Sequence, residues 1–180
     1  MKVLETPLSG AVILEPKVFE DERGFFLESY NEKVFAALGI RETFVQDNHS
    51  YSKRGVLRGL HYQVEKPQGK LVRVVSGEVI DVFVDLRRNS SSFGRWYRVK
   101  LSGENRRLAW IPVGFAHGFE VLSESAHVLY KSTEFYAPEL ERTILWNDPE
   151  LKINWEPTIE PILSEKDKRG VRFREAELFE

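Results

Sequence analysis

Short apolar segments separated by turn residues run through most of the sequence, and they constrain the fold more than any other feature. In the first half of the chain one clear helix is predicted, at residues 31–38, with Asn31 as the N-cap and Gly39 where a C-terminal glycine belongs. The other segments have the length and spacing of β-strands: they are 11–14, 25–30, 43–46, 56–62, 71–75, 79–86, 96–101, 107–111, 118–122 and 128–135. Many short strands without intervening helices predict an all-β chain, folded as an antiparallel sandwich or barrel.

The length of 180 residues predicts a single domain covering residues 1–180. No internal repeat, low-complexity segment or Pro/Gly/Ser-rich linker divides the chain. From about residue 151 onward the sequence is more polar and its periodicity is less regular. We therefore expect this C-terminal part to wrap around the barrel.

Charge and composition exclude several classes of protein. Lys and Arg number 26 against 28 Asp and Glu, so a net charge of −2 gives no overall field that would attract nucleic acid. The absence of cysteine excludes disulfides, thiolate metal sites and a cysteine nucleophile. Residues 1–10 lack the pattern of a signal peptide, and no apolar stretch approaches the roughly 18 residues of a membrane span. We expect a cytoplasmic protein with no membrane or nucleic-acid partner.

Strand parity in residues 79–86 places Asp81 and Asp85 on the same face as Val79 and Phe83. Two carboxylates among apolar side chains indicate either a polar interior or an outward, solvated face. The sequence alone leaves both interpretations open.

Two segments resemble the halves of a cupin motif, a β-barrel motif that commonly binds a metal. Residues 55–63 correspond to the first half and residues 112–117 to the second. The position of the second histidine in the first half is Gln63, and no glutamate follows at the expected spacing. Because a tight divalent site needs about three strong protein ligands, the sequence favours a cupin-like jelly-roll barrel without a metal. His61 is then free to act as a base.

Arg58 and His61 lie three positions apart around Gly59. Ideal strand parity would put their side chains on opposite faces, whereas a bulge at Gly59 would bring both to one side. The alternative is an ordinary strand with a surface arginine and a hydrogen-bonded histidine.

Other candidate residues carry a structural alternative beside the functional one. Lys70, at the start of a strand, could stabilise an enolate oxygen or be a solvated charge at a sheet edge. Tyr130 and Tyr136 share a strand face, where they could serve as a proton donor and a stacking platform or as packing. Asp167 could orient His61, or it could be the third helical residue after an N-cap at Ser164.

Six segments in register resemble the dTDP-4-dehydrorhamnose 3,5-epimerase family. They are DERGFFLESY at 21–30, FVQDNHS at 44–50, VLRGLH at 56–61, QGKLVR at 68–73, WIPVGFAHGF at 110–119 and ILWNDP at 144–149. The resemblance runs from about Gly10 to Asp167. It implies a metal-free, cofactor-free cupin-type jelly roll that forms a homodimer.

The resemblance also implies the roles of individual residues. His61 matches the general base of the family, Asp167 the carboxylate paired with it, Tyr130 the proton donor and Tyr136 the aromatic ring stacked on thymine; Lys70 would stabilise the enolate. The positions that match substrate-binding residues are Arg23, Glu28, Gln46, Asp47, Asn48, Arg58, His117, Glu141 and Lys166. Among the cations, Arg23 and Lys166 are the first candidates for the diphosphate, with Arg58 nearer the sugar.

The implied reaction inverts C3 and C5 of a dTDP-4-keto-6-deoxyhexose through an enolate. A base, an acid on the opposite face of the ring and a stabilised ketone oxygen are all required. His61, with an ordinary pKa of about 6.5, suits the base, and Tyr130, with an ordinary pKa of about 10, suits the acid. Two alternatives stay open at this point, an epimerase acting only at C3 or only at C5 and a non-catalytic cupin that binds a sugar nucleotide.

Overall fold

The computed structural model describes residues 1–155, 157 and 159–180. Over these residues the chain forms two antiparallel sheets, a separate hairpin and two short α-helices. The strands are β1 (Lys2–Glu5), β2 (Val12–Glu15), β3 (Val18–Asp21), β4 (Gly24–Leu27), β5 (Gln46–Lys53), β6 (Leu57–Gln63), β7 (Lys70–Ser76), β8 (Glu78–Asp85), β9 (Trp96–Ser102), β10 (Leu108–Ile111), β11 (Phe115–Val121), β12 (Ser125–Ser132) and β13 (Glu141–Thr143). The helices are α1 (Glu32–Ala37) and α2 (Glu165–Lys168), and Pro138–Leu140 and Phe173–Glu175 form single 3₁₀ turns.

The strand order is that of a jelly roll. One sheet has the order β1-β2-β10-β7-β12-β5 and the other the order β13-β6-β11-β8-β9, while β3 and β4 pair only with each other. The predicted all-β, cupin-like fold is confirmed by this architecture. Among the described residues no helix has the length and apolar character needed to cross a bilayer.

Alternation along each strand builds the apolar layers on either side of the sheets. Ile13, Val72 and Ala109 point between the two sheets, and their neighbours Leu14, Leu71 and Leu108 point outward. Helix α1 covers that outer face through Phe35, as the period of 31–38 predicts. Asn31 caps α1 by accepting hydrogen bonds from the backbone of the first turn.

The outer face of the second sheet is covered by the C-terminal part of the chain. Leu151, Trp155 and Phe173 pack there against the outward side chains of β6 and β8. Isolated parallel bridges join Val56 to Ile162 and Ile144 to Val171. These contacts hold α2 directly behind β6.

Several strand boundaries differ from the sequence prediction. The predicted strand 43–46 is wrong, because strand β5 only begins at Gln46 and continues to Lys53. Its sequence, QDNHSYSK, lacks the apolar alternation that marks a strand, yet all eight residues pair with β12. The predicted strands 25–30 and 128–135 also run past their true ends at Leu27 and Ser132.

The acidic face of β8 points inward, so the solvated interpretation is wrong. Asp81 and Asp85 are both fully buried. Asp85 accepts hydrogen bonds from Arg87, Ser90 and Ser92. Asp81 lies beneath the cavity described next.

Candidate active site

A polar cavity of about 300 Å³ opens among strands of both sheets. It is lined by Gln46, Asn48, Ser50, Arg58, His61, Gln68, Lys70, His117, Gly118, Phe119, Tyr130, Tyr136, Glu141 and Lys166. Ten of the residues predicted from the sequence are therefore brought to one place, from β5, β6, β7, β11, β12, β13, α2 and the segment after β12.

A bulge in β6 brings Arg58 and His61 to the same side. His61 pairs with His117, and Arg58 pairs with Phe119. Between these two pairs β6 therefore contains one residue more than β11. Gly59 takes up the extra residue with a φ of +121°, a conformation that side chains other than glycine rarely adopt. Of the two interpretations that the sequence left open for this segment, the structure shows the bulge.

His61 is held from behind by Asp167. The Nε2 atom of His61 lies 2.5 Å from Oδ1 of Asp167, which also accepts the backbone N–H of Gly59 at 3.3 Å. The Asp167 carboxylate is almost completely buried. An Nε2–H donated to this carboxylate leaves Nδ1 of the imidazole free to take a proton.

The electrostatics keep this pair as a neutral imidazole beside a carboxylate. Burial lowers the pKa of His61 below its ordinary value, and the Asp167 carboxylate only partly offsets that effect. Burial alone would raise the pKa of Asp167, but hydrogen bonds from His61 and Ser164 outweigh it and hold the pKa below its usual range. At neutral pH His61 is therefore unprotonated and able to accept a proton.

Lys70 and Tyr130 lie on neighbouring strands. The Nζ atom of Lys70 lies 6.0 Å from the centroid of the Tyr130 ring. Burial lowers the pKa of Lys70 to about 8, against the opposing effect of Glu141 and Asp81. Burial and the charge of Glu141 raise the pKa of Tyr130, so its phenol holds its proton at neutral pH. The cavity thus contains a base, a protonated acid and a buried cation.

Comparison with known proteins gives one answer. A sequence model of the dTDP-4-dehydrorhamnose 3,5-epimerase family matches residues 5–175. A dTDP-4-dehydrorhamnose 3,5-epimerase from Pseudomonas aeruginosa is 58% identical over 180 residues, 99% of each chain. The chain belongs to the dTDP-4-dehydrorhamnose 3,5-epimerase family. It is an isomerase of dTDP-rhamnose biosynthesis, and its activity is epimerisation of a dTDP-4-keto sugar.

Solved structures agree with this assignment. The dTDP-6-deoxy-D-glucose-3,5-epimerase of Legionella pneumophila, crystallised in complex with dTDP-4-keto-L-rhamnose, matches with a TM-score of 0.95 at 50% identity. The match covers 98% of this chain and 94% of that one. A 3'-monoepimerase from Streptomyces bikiniensis in complex with dTDP-quinovose matches with a TM-score of 0.87 at 33% identity, covering 94% of this chain and 86% of that one.

In this epimerase Glu141 links the C-terminal helix to the rim of the cavity. Its carboxylate accepts hydrogen bonds from Nζ of Lys166 at 2.8 Å and from the Tyr136 hydroxyl at 3.0 Å. Burial alone would raise the pKa of Glu141, but the hydrogen bonds from Lys166 and Tyr136 and the nearby positive charge together outweigh burial, so the net effect is a lowered pKa. The Tyr136 ring is half exposed at the rim, where a planar base could stack on it.

On the β5 side, Gln46 and Asn48 form a polar wall. The Nε2 atom of Gln46 donates to Oδ1 of Asn48 at 2.8 Å, and its Oε1 accepts the backbone N–H of Tyr136 at 2.9 Å. Arg58 is held by Oγ of Ser52 at 3.0 Å. These bonds fix amide and guanidinium groups along one side of the cavity.

Three of the predicted substrate-binding residues lie outside the cavity of their own chain. Arg23 lies on the turn between β3 and β4, exposed and paired with Asp21. Glu28 accepts a hydrogen bond from Asn31 at the start of α1. Asp47 pairs with Lys131 in an adjacent groove that shares Asn48 and Tyr130 with the cavity.

The cavity also contains residues that sequence reasoning did not name as site residues. Ser50 continues the alternation of Gln46 and Asn48 along β5, and Gln68 and Phe119 belong to the quoted family motifs. Asp81 binds His117 from below, and strand parity had marked that aspartate. The clearest available signals were therefore the motifs themselves and the parity of β8.

The position of the second cupin histidine has a structural role here. The Gln63 amide donates to the carbonyls of Lys66 and Phe135 and accepts from the N–H of Ala137. It thereby ties β6 to the segment that carries Tyr136. Within the described part of the chain, no three His, Asp or Glu side chains are grouped so that they could hold a metal ion.

Proposed function

We propose that this epimerase inverts both C3 and C5 of dTDP-4-dehydro-6-deoxy-D-glucose, giving dTDP-4-dehydro-L-rhamnose, with His61 as base and Tyr130 as acid. The observation that carries the proposal is the meeting of three groups in one cavity: an imidazole held by Asp167, a protonated phenol and the buried ammonium of Lys70. The 4-keto group acidifies the hydrogens on both of its neighbouring carbons, so one set of groups can serve both centres.

Proton removal falls to Nδ1 of His61. The C–H electron pair moves into the ring as the enolate forms, and the proton makes the imidazole an imidazolium. Asp167 stabilises that new positive charge through Nε2–H at the moment it appears. A carboxylate that is already buried and hydrogen-bonded needs little rearrangement to do so.

The enolate oxygen needs a cation nearby, and Lys70 is our candidate. Its ammonium is buried and lies next to the ring of the proposed acid. A cation in a site that excludes water interacts more strongly with a developing oxyanion than it would in bulk water. Because its pKa is about 8, Lys70 is mostly protonated at neutral pH.

Reprotonation from the opposite face completes each inversion. Tyr130 gives its phenolic proton to the carbon, and the electron pair of the enolate forms the new C–H bond. The imidazolium and the phenolate then exchange protons with solvent to restore the starting pair. Ring protons are therefore replaced by solvent protons at each inverted carbon.

We place the nucleotide across the outer half of the cavity. Tyr136 would stack on thymine, and Lys166 and Arg58 would face the diphosphate and the sugar. Gln46, Asn48 and Glu141 would bind polar groups of the same ligand. No metal or cofactor takes part in the proposed mechanism.

Inversion at both carbons is favoured over inversion at one. The chain is 58% identical to a 3,5-epimerase and 33% identical to a 3'-monoepimerase. A single-site epimerase would need the same base and acid, so only product analysis separates the two. A binding protein without catalysis would have no need for a carboxylate–histidine pair facing the cavity.

The separate hairpin supports a homodimer in which Arg23 acts in the cavity of a second copy. Phe19, Phe25 and Phe26 are all more than half exposed on this hairpin. Strand β5 leaves one edge of the first sheet unpaired beside the cavity. An exposed aromatic hairpin and an open edge are complementary surfaces, and pairing them would place Arg23 near the substrate-binding residues.

We further propose that residues 1–180 act as one domain and that the enzyme works in the cytoplasm, on a soluble sugar nucleotide. The domain assignment is supported by the C-terminal part packing on β6 and β8 and supplying Asp167 and Lys166 to the cavity.

Deuterium exchange tests the proposed function. Chelator-treated protein would be incubated with dTDP-4-dehydro-6-deoxy-D-glucose in D₂O, and deuterium at C3 and C5 would be followed by NMR. We expect label at both carbons and the L-rhamno product, and a His61→Asn variant should lose about 10²–10⁴-fold in rate. Label at only one carbon would indicate a single-site epimerase, and no label would contradict epimerisation of this sugar.

Complementation tests the shared site. Every site in a dimer of Arg23→Ala lacks Arg23, and every site in a dimer of His61→Asn lacks His61, so each variant alone should be nearly inactive. In a mixed dimer, the chain that keeps His61 can receive Arg23 from the other chain. After unfolding and refolding as a 1:1 mixture, half the dimers carry both chains and each of these has one intact site, so about a quarter of wild-type activity should return. If activity does not return while sedimentation shows mixed dimers, Arg23 does not act across the interface.

A further inference from the structure

The carboxylate that holds His61 has a hydrogen-bond partner of its own, Ser164. Oγ of Ser164 donates to Oδ2 of Asp167 at 2.7 Å and accepts the backbone N–H of Asp167 at 3.2 Å. The sequence offered two alternatives for Asp167, the bond to His61 and the capping bond with Ser164, and both are present. The residue is the third in a capped helix and the partner of His61 at once.

The two oxygens of Asp167 are divided between two tasks. Oδ1 receives His61 and the N–H of Gly59, and Oδ2 receives the Ser164 hydroxyl. A carboxylate can rotate about its Cα–Cβ and Cβ–Cγ bonds unless both of its oxygens are fixed. The hydroxyl therefore decides which oxygen faces the imidazole and at what angle.

We infer that Ser164 is a positioning residue for the epimerase reaction: its hydroxyl orients Asp167 and withdraws part of its negative charge, so that His61 remains a neutral base. This inference rests on the proposed function, because it assigns Ser164 a role through the proposed base. The bond that Ser164 donates to the buried carboxylate oxygen is additional to the bond by which it caps the start of α2.

Charge transfer through this bond has a definite sign. A hydrogen bond from Ser164 stabilises the ionised Asp167 and lowers its pKa. The same bond weakens the attraction between the carboxylate and an imidazolium. Without the hydroxyl, the Asp167 carboxylate attracts the His61 imidazolium more strongly, so the pKa of His61 should rise. His61 would then stay protonated, and unable to act as a base, up to a higher pH.

Other charges around His61 must stay constant for that shift to be interpretable. Asp167 and Lys166 face it from α2, Lys70 from β7 and Glu141 from β13. His117 on β11 and Tyr130 on β12 line the same cavity. The test therefore changes residue 164 alone, which caps the N-terminus of α2 and does not line the cavity.

Three substitutions at one position separate positioning from capping. Ser164→Ala removes both the cap and the donor. Ser164→Asp keeps a good N-cap acceptor for the Asp167 N–H but has no hydroxyl to donate, and it brings a second negative charge. Ser164→Thr keeps both functions. The readouts are the pH profile of kcat/KM, kcat at the optimum and the melting temperature.

We expect Ser164→Thr to match the wild type. Ser164→Ala should lose about 10-fold in kcat, and the acidic limb of its pH profile should move upward by about half a unit. Ser164→Asp should melt below the wild type, because its carboxylate is repelled by that of Asp167, and it should show the largest upward shift of that limb. A Ser164→Asp enzyme with a wild-type profile, or a Ser164→Ala enzyme weakened equally at every pH, would mean that Ser164 only caps the helix. If wild-type protein exchanges no ring protons, the proposed function fails first.

Discussion

His117 donates a hydrogen bond from Nε2 to Oδ2 of Asp81 at 2.7 Å, on the floor of the active-site cavity. This pair stands beside the His61–Asp167 pair, since His61 and His117 are cross-strand neighbours on β6 and β11. Both imidazoles are therefore fixed by a buried carboxylate behind them. Lys166 and helix α2 lie next to the first pair, and the charge of Lys70 acts on both pairs.

The charge of Asp81 should set part of the alkaline limit of activity. Burial lowers the pKa of Lys70 to about 8, and the negative charge of Asp81 opposes that lowering. Asp81→Asn removes the negative charge, so the pKa of Lys70 should fall and the alkaline limb of kcat/KM should move to lower pH. We expect about a 10-fold loss at pH 8 and a smaller loss at pH 6.5. An alkaline limb that stays in place would show that Lys70 does not control it.

Replacing Lys70 should separate activity from stability. Burying the charged ammonium of Lys70 lowers the free energy of unfolding, as its lowered pKa of about 8 indicates. This destabilisation is largest below about pH 8, where the group is protonated in the folded protein. Lys70→Met should therefore lose about 10²–10³-fold in kcat and yet melt at a higher temperature than the wild type at pH 7. The melting temperatures should converge as the pH rises toward 10. A variant that loses activity and stability together would indicate a structural role.

Tyr130→Phe should uncouple proton exchange from inversion. The base still removes ring protons in this variant, but the opposite face has no donor. In D₂O we expect deuterium to enter with retention of configuration at a measurable rate, while formation of the inverted product falls about 10²-fold or more. NMR of the recovered sugar distinguishes the two. Equal loss of exchange and inversion would show that Tyr130 contributes to proton removal or binding as well.

Gly59 should be intolerant of any side chain. A Cβ at this position would lie 2.5 Å from Cα of Gly118 and 2.7 Å from the carbonyl oxygen of His117. Gly59→Ala should destabilise the protein by about 3 kcal/mol or more, from the clash and the positive φ together. Gly39→Ala is the control, since Gly39 also has a positive φ but open space around it. Urea unfolding of the two variants measures the difference, and equal losses would contradict the clash.

Glu120 should make stability depend on pH near neutrality. This glutamate is buried on β11, one of its oxygens has no hydrogen-bond partner, and burial raises its pKa to about 7. The folded state therefore keeps a proton between about pH 4.5 and 7 that the unfolded chain releases, and stability falls as the pH rises through that window. Glu120→Gln should remove this fall.

Thermal unfolding across the pH range measures that effect. Above pH 7 the Glu120→Gln variant should be more stable than the wild type by about 2 kcal/mol, or about 4–8 °C in melting temperature. The two proteins should converge below about pH 4.5. A difference that is constant with pH would show that Glu120 is not the group that titrates.

Local residue patterns were sufficient to predict much of this protein. The apolar residues of 71–75 and 79–86 predict strands, and the caps of 31–38 predict α1. Gly59, between an arginine and a histidine, marks a position where a bulge is an alternative to an ordinary strand. These features are encoded within a few neighbouring residues, so a single sequence displays them.

Strand β5 shows where local pattern fails. Its sequence is polar throughout, because one face lines a polar cavity and the other is exposed, so hydrophobic alternation is absent. Only its pairing with β12 makes it a strand. The inward direction of Asp81 likewise depended on which face of β8 meets the other sheet.

The sequence by itself determined the all-β fold class and, through its motifs, the residues proposed to carry the chemistry, while it left the bulge at Gly59 open. Only the tertiary structure decided that Asp167, 106 residues from His61, serves as its partner while remaining the capped third residue of α2. It also decided that Arg23 lies outside the cavity of its own chain. The physical reason is that hydrophobic period and turn chemistry act over a few residues, whereas a buried hydrogen bond between a histidine and a carboxylate depends on how distant segments pack.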